Sequence, residues 1–275
     1  MCGIIYVNSE RAMKMAISLT IAQDNRGKVS TGVAWINNNE IKILKDIVEP
    51  KAFQNKYKSI IENNNAGFVI AHNRQPSQGT GILENAHPFL SCNKKYSLVH
   101  NGTEQVEAAR ELLKMLNHKF EGNTDSEVLL HLFEEFTTKF DEITALKKLQ
   151  EFCGYSSILI LSKEGKVFGF GSAIEIIRDS NGIYLASSMS PFIEVFGHVR
   201  KWVYTPGENT LFTIDKNRKI TFYGEFEKVQ RMLREDYYNY MNKTTETLDK
   251  EDASELNDIT DPVAEKYFHD RSVQW

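Results

Sequence analysis

At 275 residues, with 33 Lys and Arg against 37 Asp and Glu, the chain carries a formal net charge of -4, and its basic residues are scattered rather than banked on one segment. That excludes the electrostatic footprint of a nucleic-acid binder, and neither a run of about 18 apolar residues nor a basic-then-apolar leader marks a membrane or exported protein. A hydrophobic fraction of 41% is ordinary for a globular chain of one large domain or two small ones. Cys2, Cys92 and Cys153 are too few and too far apart for a disulfide framework and form no CxxC pair. They read as thiols of a cytoplasmic protein, Cys92 and Cys153 as inert structural ones.

The predicted elements begin with a strand over CGIIYVN, followed behind a Ser9 cap by a helix whose Ala12, Met15, Ala16, Leu19 and Ala22 recur at helical spacing. TGVAWI and EIKILKDI alternate around Asn37, Asn38 and Asn39 and read as a hairpin. A polar helix near residues 50 to 63 leads to two strands, AGFVIAHNR and YSLVHNGT, each running into a polar tip, with a Gly, Pro and Ser-rich loop between them. Helices follow at about 104 to 117, 124 to 139 and 141 to 153, then strands SSILILS, KVFGFGS, IEIIRD, GIYLASS, NTLFTID and KITFYG. Strands, then helices, then strands predict an α+β or layered αββα domain over residues 1–224. Residues 225–275, acidic and polar, read as a helical appendage with a flexible middle from about Lys243 to Asp261.

The chemistry centres on Cys2. Once Met1 is removed, its thiol is a nucleophile and its own α-amine, with a reference pKa of about 7.7 to 8.0, is a base poised near neutrality, so acyl transfer through a thioester needs no histidine. Such a reaction needs donors for an oxyanion, a cation for a carboxylate and an anion for an amine. Asn101 and Gly102, at the end of the strand SLVHNG, offer a side-chain amide beside an approachable backbone N–H, although Asn-Gly is also an ordinary turn. Arg74 can grip a carboxylate with two parallel hydrogen bonds, or lie on the surface as many arginines do. Thr124 and Glu127 form a capping box ahead of the stripe Val128, Leu129, Leu132, Phe133 and Phe136, leaving Asp125 free to face an ammonium.

Together CGI at 2–4, NRGKVSTG at 25–32, HNRQPSQG at 72–79, ENAHPF at 84–89, HNGT at 100–103 and NTDSE at 123–127 resemble the class II glutamine amidotransferase family in order and spacing. The resemblance implies an Ntn-hydrolase αββα sandwich of two antiparallel sheets between helical layers, hydrolysing glutamine to glutamate and releasing ammonia. It implies Cys2 as nucleophile, Asn101 and Gly102 as oxyanion hole, Arg74 with Ser77 on the α-carboxylate, and Asp125 with the Gly102 carbonyl on the α-amine. Arg26, in the RG motif, is expected close behind the nucleophile, orienting the N-terminus.

Val29 stands where many members carry an acid, Gln75 and Pro76 replace the aromatic and small residues often found after the arginine, and the resemblance thins after about residue 190. The long synthase domain of many members is not expected in so short a chain, so ammonia passes to a separate synthase subunit or is released. GFGS at 169–172 lacks the pattern of a phosphate loop, and no cofactor is expected. His72, His87 and His100 lie near the motifs without a carboxylate or cysteine at ligand spacing, so they read as loop histidines and no metal is expected. An N-terminal-cysteine amidohydrolase acting on another small amide, and a non-catalytic binding subunit that keeps Met1, remain as alternatives.

Overall fold

The computed structural model describes residues 2–75, 81–171, 173–197, 200–208 and 210–232. The first half runs β1 (Gly3–Ser9), α1 (Ala12–Ala22), β2 (Ser30–Asn37), β3 (Glu40–Asp46), α2 (Pro50–Lys56), α3 (Lys58–Glu62), β4 (Phe68–Arg74), β5 (Phe89–Leu90) and β6 (Tyr96–Asn101). Three helices follow, α4 (Glu107–Met115), α5 (Asp125–Phe136) and α6 (Glu142–Gln150). The chain then returns to strands with β7 (Ser157–Ser162), β8 (Val167–Phe170), β9 (Glu175–Asp179) and β10 (Gly182–Ala186), followed by α7 (Ser190–Phe196). It ends with β11 (Arg200–Pro206), β12 (Leu211–Ile214), β13 (Ile220–Tyr223) and β14 (Phe226–Met232).

The strands form an eight-stranded sheet, β14-β11-β9-β10-β1-β4-β2-β3, and a six-stranded sheet, β13-β12-β8-β7-β6-β5, with antiparallel pairing throughout. Because successive strand residues point to opposite faces, β1 splits its apolar run. Ile5 and Val7 pack under α1, α2 and α7 with Leu19, Phe53 and Phe192, while Ile4 and Tyr6 face the second sheet, meeting Val99, Leu159 and Leu161. The other face of that sheet, through Leu98, Ile158 and Ile160, is covered by α5 and α6 with Leu129, Phe133 and Leu146. Helix, sheet, sheet and helix are thus the four layers expected from the sequence. The Asn38 and Asn39 turn between β2 and β3 takes φ of 51° and 60°, the left-handed values that two-residue hairpins need and asparagine tolerates.

Several local expectations give way to long-range demands. Ser9 does not cap α1: it ends β1, opposite Gly182 and bonded through its N–H to the Gly67 carbonyl, and Arg11 precedes the helix. The helix near 50 to 63 is two short ones, joined at Tyr57, whose hydroxyl donates to Asp46 at 2.8 Å. The Thr124–Glu127 capping box does not form, because Glu127 turns back to accept the N–H groups of Glu121 (2.6 Å) and Gly122 (2.9 Å) in the preceding loop. Helix α7 and strands β5 and β11 have no counterpart in the sequence reading. Residues 226–232 are strand rather than helix, since β11 offers them a full ladder. The rest of the predicted appendage, and Ser77 and Pro76, lie outside the described residues.

This topology assembles one end of the sandwich. β4 runs antiparallel to β1 with Gly3 opposite Asn73, so the start of β1 and the end of β4 bring Cys2 and Arg74 together. β6, in the other sheet, ends at Asn101 on the same side, and His72 ties the sheets by donating Nε2–H to the His100 carbonyl at 3.0 Å.

Candidate active site

Cys2 is held from several directions. Its backbone N–H donates to Asn101 Oδ1 at 3.1 Å, and its carbonyl accepts from Arg26 Nε at 3.0 Å. Its Sγ donates to the Gln75 carbonyl at 3.3 Å and accepts from the Gln75 N–H at 3.4 Å. Gly3 follows with no space for a side chain: a Cβ would collide with Asn73 Oδ1 and the Gln23 amide, which bond each other at 3.1 Å. The Gln23 and Gly27 carbonyls accept from Asn73 Nδ2, so this buried amide pair braces the Asp24–Arg26 turn behind Cys2.

A small pocket opens beside the thiol, lined by Cys2, Arg74, Gln75, Gly102, Asp125 and Ser126 with His87, His100 and Thr124. Arg74 and Asp125 are both buried, and Asp125 is fixed by accepting the N–H of Glu104 at 2.7 Å on Oδ2 and of Ser126 at 2.8 Å on Oδ1. Oδ1 also accepts from Ser126 Oγ at 3.3 Å, which leaves the further lone pair of Oδ2 for a ligand. Gly102 is constrained sterically, since a Cβ there would overlap Ser156 Oγ and lie 2.6 Å from His100 Nε2. Ser156 is itself anchored through its hydroxyl to Glu104.

Burial raises the Cys2 thiol pKa above its usual value, opposed by the Gln75 N–H and the positive charges of Arg74 and Arg26. A base is therefore required to generate the thiolate. The nearby histidines are poor candidates: desolvation lowers His72 to about 3, His100 to about 4, and His87 well below its ordinary value. All three are buried and neutral, with His72 stacked on His87 at 4.0 Å; His72 and His100 lie in β4 and β6 rather than in loops, while His87 is in the loop before β5. His100 Nε2 and Thr124 Oγ1, both on pocket-lining residues, have no hydrogen-bond partner among the described residues, as befits a site for a polar ligand.

The structure thus brings Cys2, Asn101, Gly102, Arg74, Asp125 and Arg26 to one place; the candidate Ser77 lies outside the described residues. Sequence reasoning passed over Gln75 as a bearer of site contacts, because its contribution is entirely backbone, and Glu104, because an acid before a helix reads as ordinary N-terminal polarity. It also missed His100 Nδ1 against Ser126 Oγ at 2.9 Å, a contact between β6 and α5 that no local pattern announces.

Two antiparallel sheets between helices, with a cysteine heading a central strand, define an Ntn-hydrolase-type protein. Among solved structures, the fold is similar to a glutamine phosphoribosylpyrophosphate amidotransferase from B. subtilis (TM-score 0.66, 17% identity, 84% of this chain and 49% of that one). The family described as "Glutamine amidotransferases class-II" matches residues 1–166, so the chain belongs to the class II glutamine amidotransferase family. Curated relatives include the glutamine–fructose-6-phosphate aminotransferases [isomerizing] of Sulfurisphaera tokodaii, 30% identical over 283 residues (100% of this chain, 41% of that protein), and Methanococcus maripaludis, 33% identical over 210 residues (70% of this chain, 34% of that protein). The chain therefore spans less than half the length of these relatives.

Proposed function

We propose that this chain hydrolyses glutamine to glutamate and ammonia through a thioester on Cys2, and that the ammonia is used by a synthase carried on a separate polypeptide. The observation that carries the glutaminase reading is the shared pocket of Cys2, Arg74 and Asp125. A guanidinium and a carboxylate beyond a nucleophile select a ligand with both an α-carboxylate and an α-ammonium, with the side-chain amide directed to sulfur. This pair favours an amino-acid amide over the other small amides that an N-terminal-cysteine hydrolase could take.

In the encoded chain Cys2 N is a peptide nitrogen joined to Met1 and cannot act as a base. Removal of Met1 makes it an amine at the position that already faces Asn101 Oδ1. That amine takes the thiol proton as sulfur attacks the glutamine Cδ. Because Asn101 Oδ1 is committed to the Cys2 nitrogen, Asn101 Nδ2 is left to donate to the developing oxyanion together with the Gly102 N–H. The ammonium then returns its proton to the departing nitrogen, ammonia leaves, and water hydrolyses the thioester by the same base.

The described residues make up the glutaminase-type four-layer fold. GFGS, which lacks the pattern of a phosphate loop, begins inside β8, where Gly169 packs against Phe212 and Leu159. The relatives' names pair glutamine with a sugar phosphate as amino acceptor. The unpaired thiols fit the cytoplasm, and no helix among the described residues is long and apolar enough to cross a membrane.

The reading is tested by separating rate from binding. Asn101→Ala lowers kcat for glutamine hydrolysis by on the order of 10²–10³, the usual cost of one oxyanion donor. Arg74→Ala and Asp125→Ala each raise KM by on the order of tenfold or more, because a charge-assisted contact made in both ground and transition state is lost. Unchanged KM in both variants excludes an amino-acid substrate held in this way.

A further inference from the structure

Farther along α5 from Asp125, four side chains with metal-ligating atoms converge. Cys92 Sγ, His118 Nδ1, His131 Nδ1 and Glu134 Oε2 all lie within 4.8 Å of one another. Cys92 sits in the turn after β5, His118 in the loop after α4, and His131 and Glu134 three residues apart on one face of α5. The separations are His118 to His131 3.3 Å, His131 to Glu134 3.1 Å, His118 to Glu134 3.4 Å and Cys92 to His131 3.7 Å.

We propose that these residues form a zinc site, with Cys92, His118, His131 and Glu134 as its four ligands. Tetrahedral Zn²⁺ with Zn–N and Zn–O of about 2.0–2.1 Å and Zn–S of about 2.3 Å requires edges of about 3.3 Å between nitrogen or oxygen ligands and about 3.6 Å from sulfur to nitrogen. Four of the edges found here have those lengths. The chemistry of the set also calls for a cation: two imidazole nitrogens, a carboxylate oxygen and a sulfur all point electron pairs at one small volume, and a single proton between any two of them leaves the others facing each other.

The surroundings have the form of an outer ligand shell. Glu134 is aimed by the backbone N–H groups of Cys92 (3.0 Å to Oε2) and Asn93 (2.6 Å to Oε1). His118 turns its other nitrogen, Nε2, toward Glu135 Oε2 at 3.5 Å, the carboxylate–histidine arrangement that orients metal-bound imidazoles. The Lys119 N–H donates to Cys92 Sγ at 3.3 Å, a contact that favours a thiolate. His131 Nε2 has no partner among the described residues, so all of that ring's polar engagement is through Nδ1.

Thiolate, imidazole and carboxylate in a tetrahedron select zinc over magnesium or calcium, which prefer six or more oxygens. Four protein ligands leave no open position, so the ion is structural and supplies no chemistry to the cysteine pocket. It clamps two loops to α5, the helix whose first residue is Asp125, about 9 Å along the axis from His131 at 1.5 Å per residue. The absence of metal expected from sequence rested on linear spacing, and the reading of Cys92 as inert on how readily free cysteine is buried: the ligands stand at 92, 118, 131 and 134, and only the last pair is close.

The test uses the full chain, stripped with a chelator and titrated with Zn²⁺ against a chromophoric competitor, and separately with Co²⁺ as an optical probe. One equivalent of metal binds with release of the thiol proton, Co²⁺ gives tetrahedral d–d bands with a sulfur-to-metal charge-transfer band, and zinc raises the melting temperature. Cys92→Ser, at an exposed position where folding is retained, abolishes the charge-transfer band and weakens zinc by about 100-fold or more, whereas Glu135→Gln keeps the band and weakens zinc by about tenfold. Cys2→Ala binds zinc as the wild type does, which separates this site from the glutaminase reading. Absence of stoichiometric binding by the wild-type chain at micromolar metal, or equal binding by Cys92→Ser and His131→Gln, overturns the proposal.

Discussion

Cys2→Ala abolishes glutamine hydrolysis, a loss on the order of 10⁴-fold or more, while the folded state is retained. The size follows from the thioester step: with no sulfur there is no covalent intermediate, and the oxyanion donors at Asn101 and Gly102 have nothing to stabilise. Folding survives because the backbone contacts of residue 2, to Asn101 and Arg26, remain, the lost sulfur contacts to Gln75 are at an exposed edge, and its side chain belongs to none of the three apolar cores. Steady-state glutaminase assays alongside circular dichroism check this. A variant with native spectra and undiminished turnover places the nucleophile elsewhere.

Acid destabilises the protein steeply. His72, His87 and His100 are held neutral by burial, with folded-state pKa values of about 3 for His72 and about 4 for His100 and a value well below normal for His87. In the unfolded chain each titrates near 6.5. Above that pH neither state binds these protons and their effect on stability is nil. As pH falls through 6.5 the unfolded chain takes up as many as three protons that the native state refuses. Stability then declines by up to about 4 kcal/mol per pH unit until His100 begins to protonate in place near pH 4. A typical margin of about 5–15 kcal/mol is mostly consumed between pH 6 and pH 4. Urea midpoints measured across that range fall accordingly, and His72→Gln, which removes one titrating group, reduces the slope by about a third. A flat profile shows that these rings protonate within the fold.

Much of this architecture is legible in the sequence because the deciding signals are local. The alternation in β1, the asparagine turn between β2 and β3, and the apolar stripe of α5 each state their structure in a few residues. So do the strand tips at Arg74 and Asn101, where an apolar run stops and a glycine or polar group begins. What escapes is set by distant partners. β14 is a strand because β11 lies beside it, and Ser9 and Glu127 abandon capping because backbone N–H and C=O groups elsewhere need them. The clasp of Gln75 on the Cys2 sulfur and the meeting of Cys92 with His131 have no linear signature, the first being backbone geometry and the second a product of folding α5 onto the β5–β6 turn.

Whether residue 2 works as an N-terminal nucleophile in a glutamine-shaped pocket is decided by the intact mass of the purified protein before and after exposure to a glutamine-mimicking diazoketone. The expected result is a chain lighter by Met1 that gains one adduct, mapped to Cys2 and suppressed by excess glutamine. A chain that keeps Met1, takes up no adduct and still hydrolyses glutamine contradicts it.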